Sequence, residues 1–269
     1  MVTYLRQSVC LAACLFLYSF TAQAETVLVA VASNFTKPMS EIAAEFEKQT
    51  GYGANLAFGS SGKFASQLLN GAPFEVFLSA DGDKPLRLEQ EGVALAGSRF
   101  TYALGTLLLW SAKPGAVDAD GQILHKGGFQ HLALADPKLA PYGVAAVEVM
   151  NKLKVYDKLQ PLLVYGENIS QAQEFVSTGN AELGFIALSQ VIADGGGIGE
   201  GSGWVVPTEL HMPIRQDAVL MKAGAQNPAA SALMAFLKSP PALAIIERYG
   251  YRLPNGREVV ANPPADEKH

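Results

Sequence analysis

The feature that most constrains this chain is an alternation, kept up along its length, of a short apolar run, a polar turn and an amphipathic helical stretch. TVLVAVA (Thr26–Ala32) has the length and β-branched content of a buried strand. Ser33 and Asn34 follow, and then FTKPMSEIAAEFEKQTG places Met39, Ile42, Ala43 and Phe46 at helical spacing. Pro38 suits a first turn, where a missing N–H costs nothing, and Gly51 is a stop signal. The unit recurs as ANLAFG, a serine turn and the helix KFASQLLNG, and then as the strand FEVFLSAD (Phe74–Asp81) with a helix from near Pro85 to Gly92. It recurs again as LALADP, the loop KLAPYG and the helix VAAVEVMNKLKV, and as LLVYGEN with the helix ISQAQEFVSTG. LGFIA reads as a strand and ALGTLLLWSA as one long strand, while NPAASALMAFLK and SPPALAIIERYG read as helices opened by a polar cap and proline. Strands that alternate with helices predict an α/β fold with parallel pairing, in which the turns at the strands' carboxyl ends meet at one edge.

The first 24 residues stand outside this pattern. One charge, Arg6, precedes an apolar run that ends in Ala22-Gln23-Ala24, the layout of a secretory signal peptide cleaved after Ala24. The run is too short for the ~20 residues of a spanning helix. LAAC at Leu11–Cys14 resembles a lipobox, but the apolar stretch continues past it to the better-placed cleavage site. Both cysteines, Cys10 and Cys14, fall inside this leader, so the mature chain has neither a thiol nucleophile nor a disulfide. The mature chain is then exported, and its stability rests on its core.

Losing Arg6 makes the formal charge of −5 one unit more negative. Charges of both signs are scattered without a basic stripe, which argues against nucleic acid as a partner. Net charge says little about a single desolvated site. No internal repeat is legible. The glycine-rich Gly195–Gly203 fails the G-x-G-x-x-G test and leads into strand-like WVV, so it is a surface turn, and the end of the chain, 263–269, is a loose tail.

Chemistry concentrates in the turns. GSSG (Gly59–Gly62) has Ala57 and Phe64 where a Walker loop needs Gly and Ser or Thr, and it lacks the G-x-S-x-G of a nucleophile elbow. His125, His131, His211 and His269 are not in any strand-to-helix turn, so a hydrolase would need the fold to bring one beside Ser61. The plain alternative is that Ser60 or Ser61 is a helix cap. Recurrence points further: ASN (Ala32–Asn34), GSSG, PYG (Pro141–Gly143) and ENIS (Glu167–Ser170) are four polar helix starts, and Lys63 is their only cation. First-turn N–H groups are unpaired and partly positive, so several in one cleft would suit a small, fully ionised oxyanion.

The stretches VAVASNF, FGSSGKFASQLLNGAPFEVFLSAD, LADPKLAPYGVAAVEVM, NISQAQEFV, ELGFIALSQV and ERYGYRLP resemble, in order and over nearly the whole mature chain, the periplasmic molybdate-binding proteins of ABC transporters. The resemblance implies a two-lobed periplasmic binding protein of type II, each lobe a mixed sheet flanked by helices, with the ligand between them. Lobe I would comprise 25–105 with 208–262, and lobe II 106–207. The implied function is capture of molybdate or tungstate for a membrane permease by a monomer that is not an enzyme and carries no cofactor or bare metal ion. Carried over by motif, the oxyanion ligands are Ser33, Ser61 and the main chain of Asn34 from lobe I, with Tyr142 and the main-chain N–H of Ile169 from lobe II. A tyrosine found after the LG strand in some members is Ala187 here, so Tyr142 takes the phenolic role. Lys63 is expected to face solvent, and Asp136 and Glu167 to fix turns. Receptors for sulfate, phosphate or an organic acid are the alternative, and a secreted serine hydrolase using Ser61 is the rival of another class.

Overall fold

The valines of Thr26–Ala32 explain the first strand, β1. Val27, Val29 and Val31 enter one apolar cluster with Met39, Ile42 and Phe46 of helix α1 (Thr36–Thr50), while Ala30 enters another with Phe64, Leu68 and Phe77. Both faces are covered, which is why the run is apolar throughout rather than alternating. Gly51 closes α1 in the left-handed region at φ 76°, where glycine avoids the Cβ clash. The computed structural model describes residues 25–193 and 196–254. The predicted leader and its cleavage after Ala24, the tail 263–269, and residues 255–262 of the expected first lobe lie outside these.

The first sheet holds β1, β2 (Gly53–Gly59), β3 (Val76–Leu78), β4 (Phe100–Gly105) and β10 (Ile214–Leu220), in the order β2-β1-β3-β10-β4. β1 is parallel to β2 and β3, whereas β10 is antiparallel to β3 and β4. The second sheet holds β5 (Leu107–Ser111), β6 (Leu132–Ala135), β7 (Leu163–Gly166), β8 (Leu183–Ala187) and β9 (Ser202–Val205), in the order β7-β6-β8-β5-β9. Here β6 is parallel to β7 and β8, and β5 is antiparallel to β8 and β9. The two sheets share one arrangement, three parallel strands followed by an antiparallel strand and an edge strand, although no sequence repeat announces it.

Helices flank each sheet. α2 (Ser61–Leu69), α3 (Asp83–Gln90), α8 (Pro228–Phe236) and α9 (Pro240–Arg248) accompany the first. α4 (Ile123–Lys126), α5 (Pro141–Lys152), α6 (Tyr156–Leu159) and α7 (Ile169–Ser177) accompany the second. The expected architecture of two mixed sheets with helices on their faces is therefore present.

Four local expectations are corrected. ALGTLLLWSA is not one strand: β4 ends at Gly105 on the edge of the first sheet, and β5 begins at Leu107 inside the second. Thr106 between them accepts Leu188 N–H at 3.1 Å on its carbonyl, which carries the β5–β8 pairing one residue beyond Leu107 and Ala187, so the chain changes sheets at Gly105–Thr106. The helix after KLAPYG starts at Pro141 rather than Val144, because proline's fixed φ suits the first helical position. Likewise α2 starts at Ser61, two residues before Lys63. The strand read as Phe74–Asp81 is paired only over Val76–Leu78, since Ser79 and Asp81 bend the chain with bonds between their own groups. One strand escaped the sequence reading. IRQDAVL looks like surface, yet β10 buries Gln216 and Asp217 completely, with Asp217 satisfied by Thr101, Arg99 and Arg215.

Candidate functional site

The polar turns after β1 and β2 face those after β6 and β7 and enclose one small cavity. Ser33, Asn34, Ser60 and Ser61 line it from the first sheet, and Tyr142, Asn168 and Ile169 from the second, with Ala32, Gly59, Ala80, Ala140 and Pro141 between them. All five residues expected as ligands are thus brought together. Among the described residues, no Lys, Arg, His, Asp or Glu lines the cavity. Its volume is about 10 Å³, against about 480 Å³ for an open groove nearby.

Local hydrogen bonding separates the caps from the free donors. Ser60 is the cap of α2: its Oγ accepts from Lys63 N–H at 3.3 Å. Ser61 Oγ instead accepts from Ala80 N–H at 2.9 Å, which leaves its own proton to donate. Asn168 caps α7 by accepting from Ser170 N–H at 2.9 Å and Gln171 N–H at 3.1 Å. Ile169 N–H, one position earlier, is a first-turn donor with no partner inside its helix, and the Ile169 side chain packs in the second sheet's core. Asn34 turns its amide away from the cavity, Nδ2 donating to Gln216 Oε1 and to Tyr251 Oη, both at 2.9 Å.

Tyr142 sits in the first turn of α5, where Gly105 makes room for it. A Cβ on Gly105 would lie 2.3 Å from the Tyr142 oxygen and 2.6 Å from Gln216 Nε2. Gln216 Nε2 donates to the Tyr142 oxygen at 3.2 Å. Burial, with the neighbouring Tyr251 and Tyr102, pushes the Tyr142 phenol well above the usual tyrosine value, so it stays a neutral O–H group. Ala187, at the buried end of β8, pairs with Leu107 and is not part of the cavity wall.

Contacts across the cleft hold the two sides together. Gly62 N–H donates to the Leu139 carbonyl at 2.9 Å, Ser33 Oγ to Asn168 Oδ1 at 3.3 Å, and Lys37 Nζ to the Gln190 carbonyl at 2.8 Å. Lys63 does not simply face solvent. It pairs with Glu167 at 2.6 Å, both side chains about half exposed, so Glu167 bridges the cleft rather than only shaping its turn. Asp136 does fix its turn, accepting from Lys138 N–H at 2.9 Å. His211 Nδ1 lies 2.7 Å from the Met212 carbonyl and His131 lies beside Glu182, so neither stands at Ser61 as a base.

Sequence reasoning missed Asn168, Gln216 and Tyr251. Asn168 was findable, because an Asn before an apolar-periodic helix is a cap signal. Gln216 and Tyr251 carry no local signal, since each reaches the site only through remote pairing.

The sequence profile of the bacterial extracellular solute-binding proteins matches residues 27–252. The chain is 57% identical over 237 residues to the molybdate-binding protein ModA of Azotobacter vinelandii, covering 88% of this chain and 94% of that one. It is 56% identical to the ModA of Rhodobacter capsulatus, covering 86% and 89%. Among solved structures, the Azotobacter vinelandii periplasmic molybdate-binding protein superposes with a TM-score of 0.83 at 43% identity, covering 85% of this chain and all of that one. The two-lobed fold of type II periplasmic binding proteins is therefore established for this chain.

Proposed function

The chain belongs to the bacterial extracellular solute-binding proteins, in the family of the molybdate-binding protein ModA, and on that premise we propose that it captures molybdate in the periplasm and delivers it to an ABC permease. The observation that carries this reading is a cavity lined from both sheets by hydroxyls and helix-start N–H groups and, among the described residues, by no charged side chain. Such a site offers donors on all sides and no carboxylate acceptor, which suits a tetrahedral dianion carrying no proton of its own. The Ser61 hydroxyl and Asn34 N–H serve it from one lobe, joined by the Ser33 hydroxyl when it gives up its 3.3 Å bond to Asn168 Oδ1, and Tyr142 Oη–H and Ile169 N–H serve it from the other. Neutral donors and helix dipoles stabilise the ion without a full cation. The ion touches both lobes only when they are together, and that difference in contacts favours the closed state.

Tungstate, nearly equal in size and charge, fits the same site. The protein acts as a monomer and catalyses no reaction. Its lobes are 25–105 with 208–262, and 106–207, and its mature N-terminus is Glu25, which N-terminal sequencing of the periplasmic protein checks. Calorimetric titration with molybdate, tungstate, sulfate and phosphate tests the ligand. One-to-one binding of the first two alone is expected. Binding of sulfate or phosphate with neither of those two would overturn the assignment.

A further inference from the structure

Behind Tyr142 lies a buried chain of polar groups whose donors and acceptors follow from one fixed end. That end is the main-chain carbonyl of Asn34, which can only accept. It receives the Tyr251 hydroxyl at 2.8 Å and the Ser189 hydroxyl at 2.9 Å. Whether the Tyr251 proton goes to that carbonyl or to Ser189 Oγ, 3.0 Å away, the Tyr251 oxygen accepts from Asn34 Nδ2 at 2.9 Å, which orients that amide. The other Nδ2 proton goes to Gln216 Oε1 at 2.9 Å, which fixes that amide; the Tyr102 hydroxyl lies 2.9 Å from the same oxygen and 3.2 Å from the Ser79 carbonyl. Gln216 therefore presents Nε2, a donor, to the Tyr142 oxygen. Tyr142 cannot donate back to a donor. Its own proton is left with the Tyr251 oxygen beside it or with whatever fills the cavity.

We infer that Gln216 is a positioning residue that, by donating to the Tyr142 oxygen, denies the phenol proton the position on its own side, so that a bound ion competes only with the Tyr251 oxygen for a phenol donor. The inference rests on the oxyanion reading of the cavity. It explains why a strand as central as β10 carries a fully buried amide, and why Gly105 has no side chain where Gln216 and Tyr142 meet.

A double-mutant cycle tests it. Molybdate is titrated into the wild-type protein, Gln216→Met, Tyr142→Phe and the double variant, and each is melted to check folding. Methionine keeps the length and removes the amide. In the wild-type background Tyr142→Phe should weaken binding about tenfold or more. In the Gln216→Met background, where the phenol proton can turn away, the same change should cost about threefold or less. Equal factors in both backgrounds overturn the inference, because a merely structural Gln216 would leave the Tyr142 factor unchanged. If Gln216→Met does not melt cooperatively, tyrosine Raman difference spectra decide: molybdate-loaded wild type minus Tyr142→Phe should show Tyr142 as a donor, and an acceptor signature refutes it. No binding by the wild type overturns the oxyanion reading and the inference together, whereas binding with equal factors overturns the inference alone.

Discussion

Ser60 and Ser61 stand side by side in one turn, yet their bonds give them different jobs. Ser60 caps α2 through Lys63 N–H, so Ser60→Ala should lower stability by about 1 kcal/mol. Its effect on affinity should be the smaller of the two. Ser61 accepts from Ala80 N–H and keeps a proton for the ion, so Ser61→Ala should cost about 1.5–3 kcal/mol of molybdate binding, roughly 10–100-fold. Calorimetry and thermal melts of both variants check this. Equal affinity losses would remove Ser61 from the ligand set. The sequence offered GSSG as one polar unit. Only the partners Lys63 and Ala80, the second of them from another strand's end, tell the two hydroxyls apart.

At the scale of elements, the start of α2 is where the lobes meet. Gly62 has no unusual φ. Its missing side chain matters because a Cβ would lie 2.8 Å from the Leu139 carbonyl oxygen and 3.1 Å from Leu139 Cα. Gly62→Ala should therefore weaken molybdate binding while leaving the melting temperature of the empty protein nearly unchanged, since the clash falls between lobes rather than inside one. Unchanged affinity would show that this contact does not limit closure. One residue on, the half-exposed Lys63–Glu167 pair spans the same seam. Exposed pairs contribute about 0.2–1 kcal/mol and are screened by salt. Lys63→Ala should thus speed molybdate release a few-fold in dilute buffer and hardly at all in about 1 M salt, as stopped-flow measurements would show.

For the whole molecule, the buried tyrosines set an alkaline limit. Burial raises Tyr102, Tyr142 and Tyr251 above the ordinary tyrosine value. The unfolded chain titrates near about pH 10, so the folded state holds protons that the unfolded state loses first. The stability these groups contribute is complete below that pH and is lost as pH rises beyond it. The melting temperature should therefore be flat to about pH 9 and fall steeply above about pH 10, with a shallower fall in Tyr102→Phe. A profile flat to pH 11 would contradict the placement of these hydroxyls.

What the sequence determined by itself is local. Apolar runs such as Thr26–Ala32 became strands, Gly51 and Gly179 ended helices with positive φ, and the motif positions Ser33, Asn34, Ser61, Tyr142 and Ile169 proved to surround one cavity. Each of these depends on neighbours a few residues away or on a motif that travels intact. The tertiary structure decided what depends on distant partners. It split ALGTLLLWSA between two sheets because Ile214–Leu220 and Leu183–Ala187 pair with its two halves. It made a strand of the polar IRQDAVL because Arg99, Thr101, Asn34 and Tyr102 satisfy its buried Asp217 and Gln216. It also left certain donors free at the cavity, since a hydroxyl or N–H is available to a ligand only after every nearer acceptor, from either lobe, has been served.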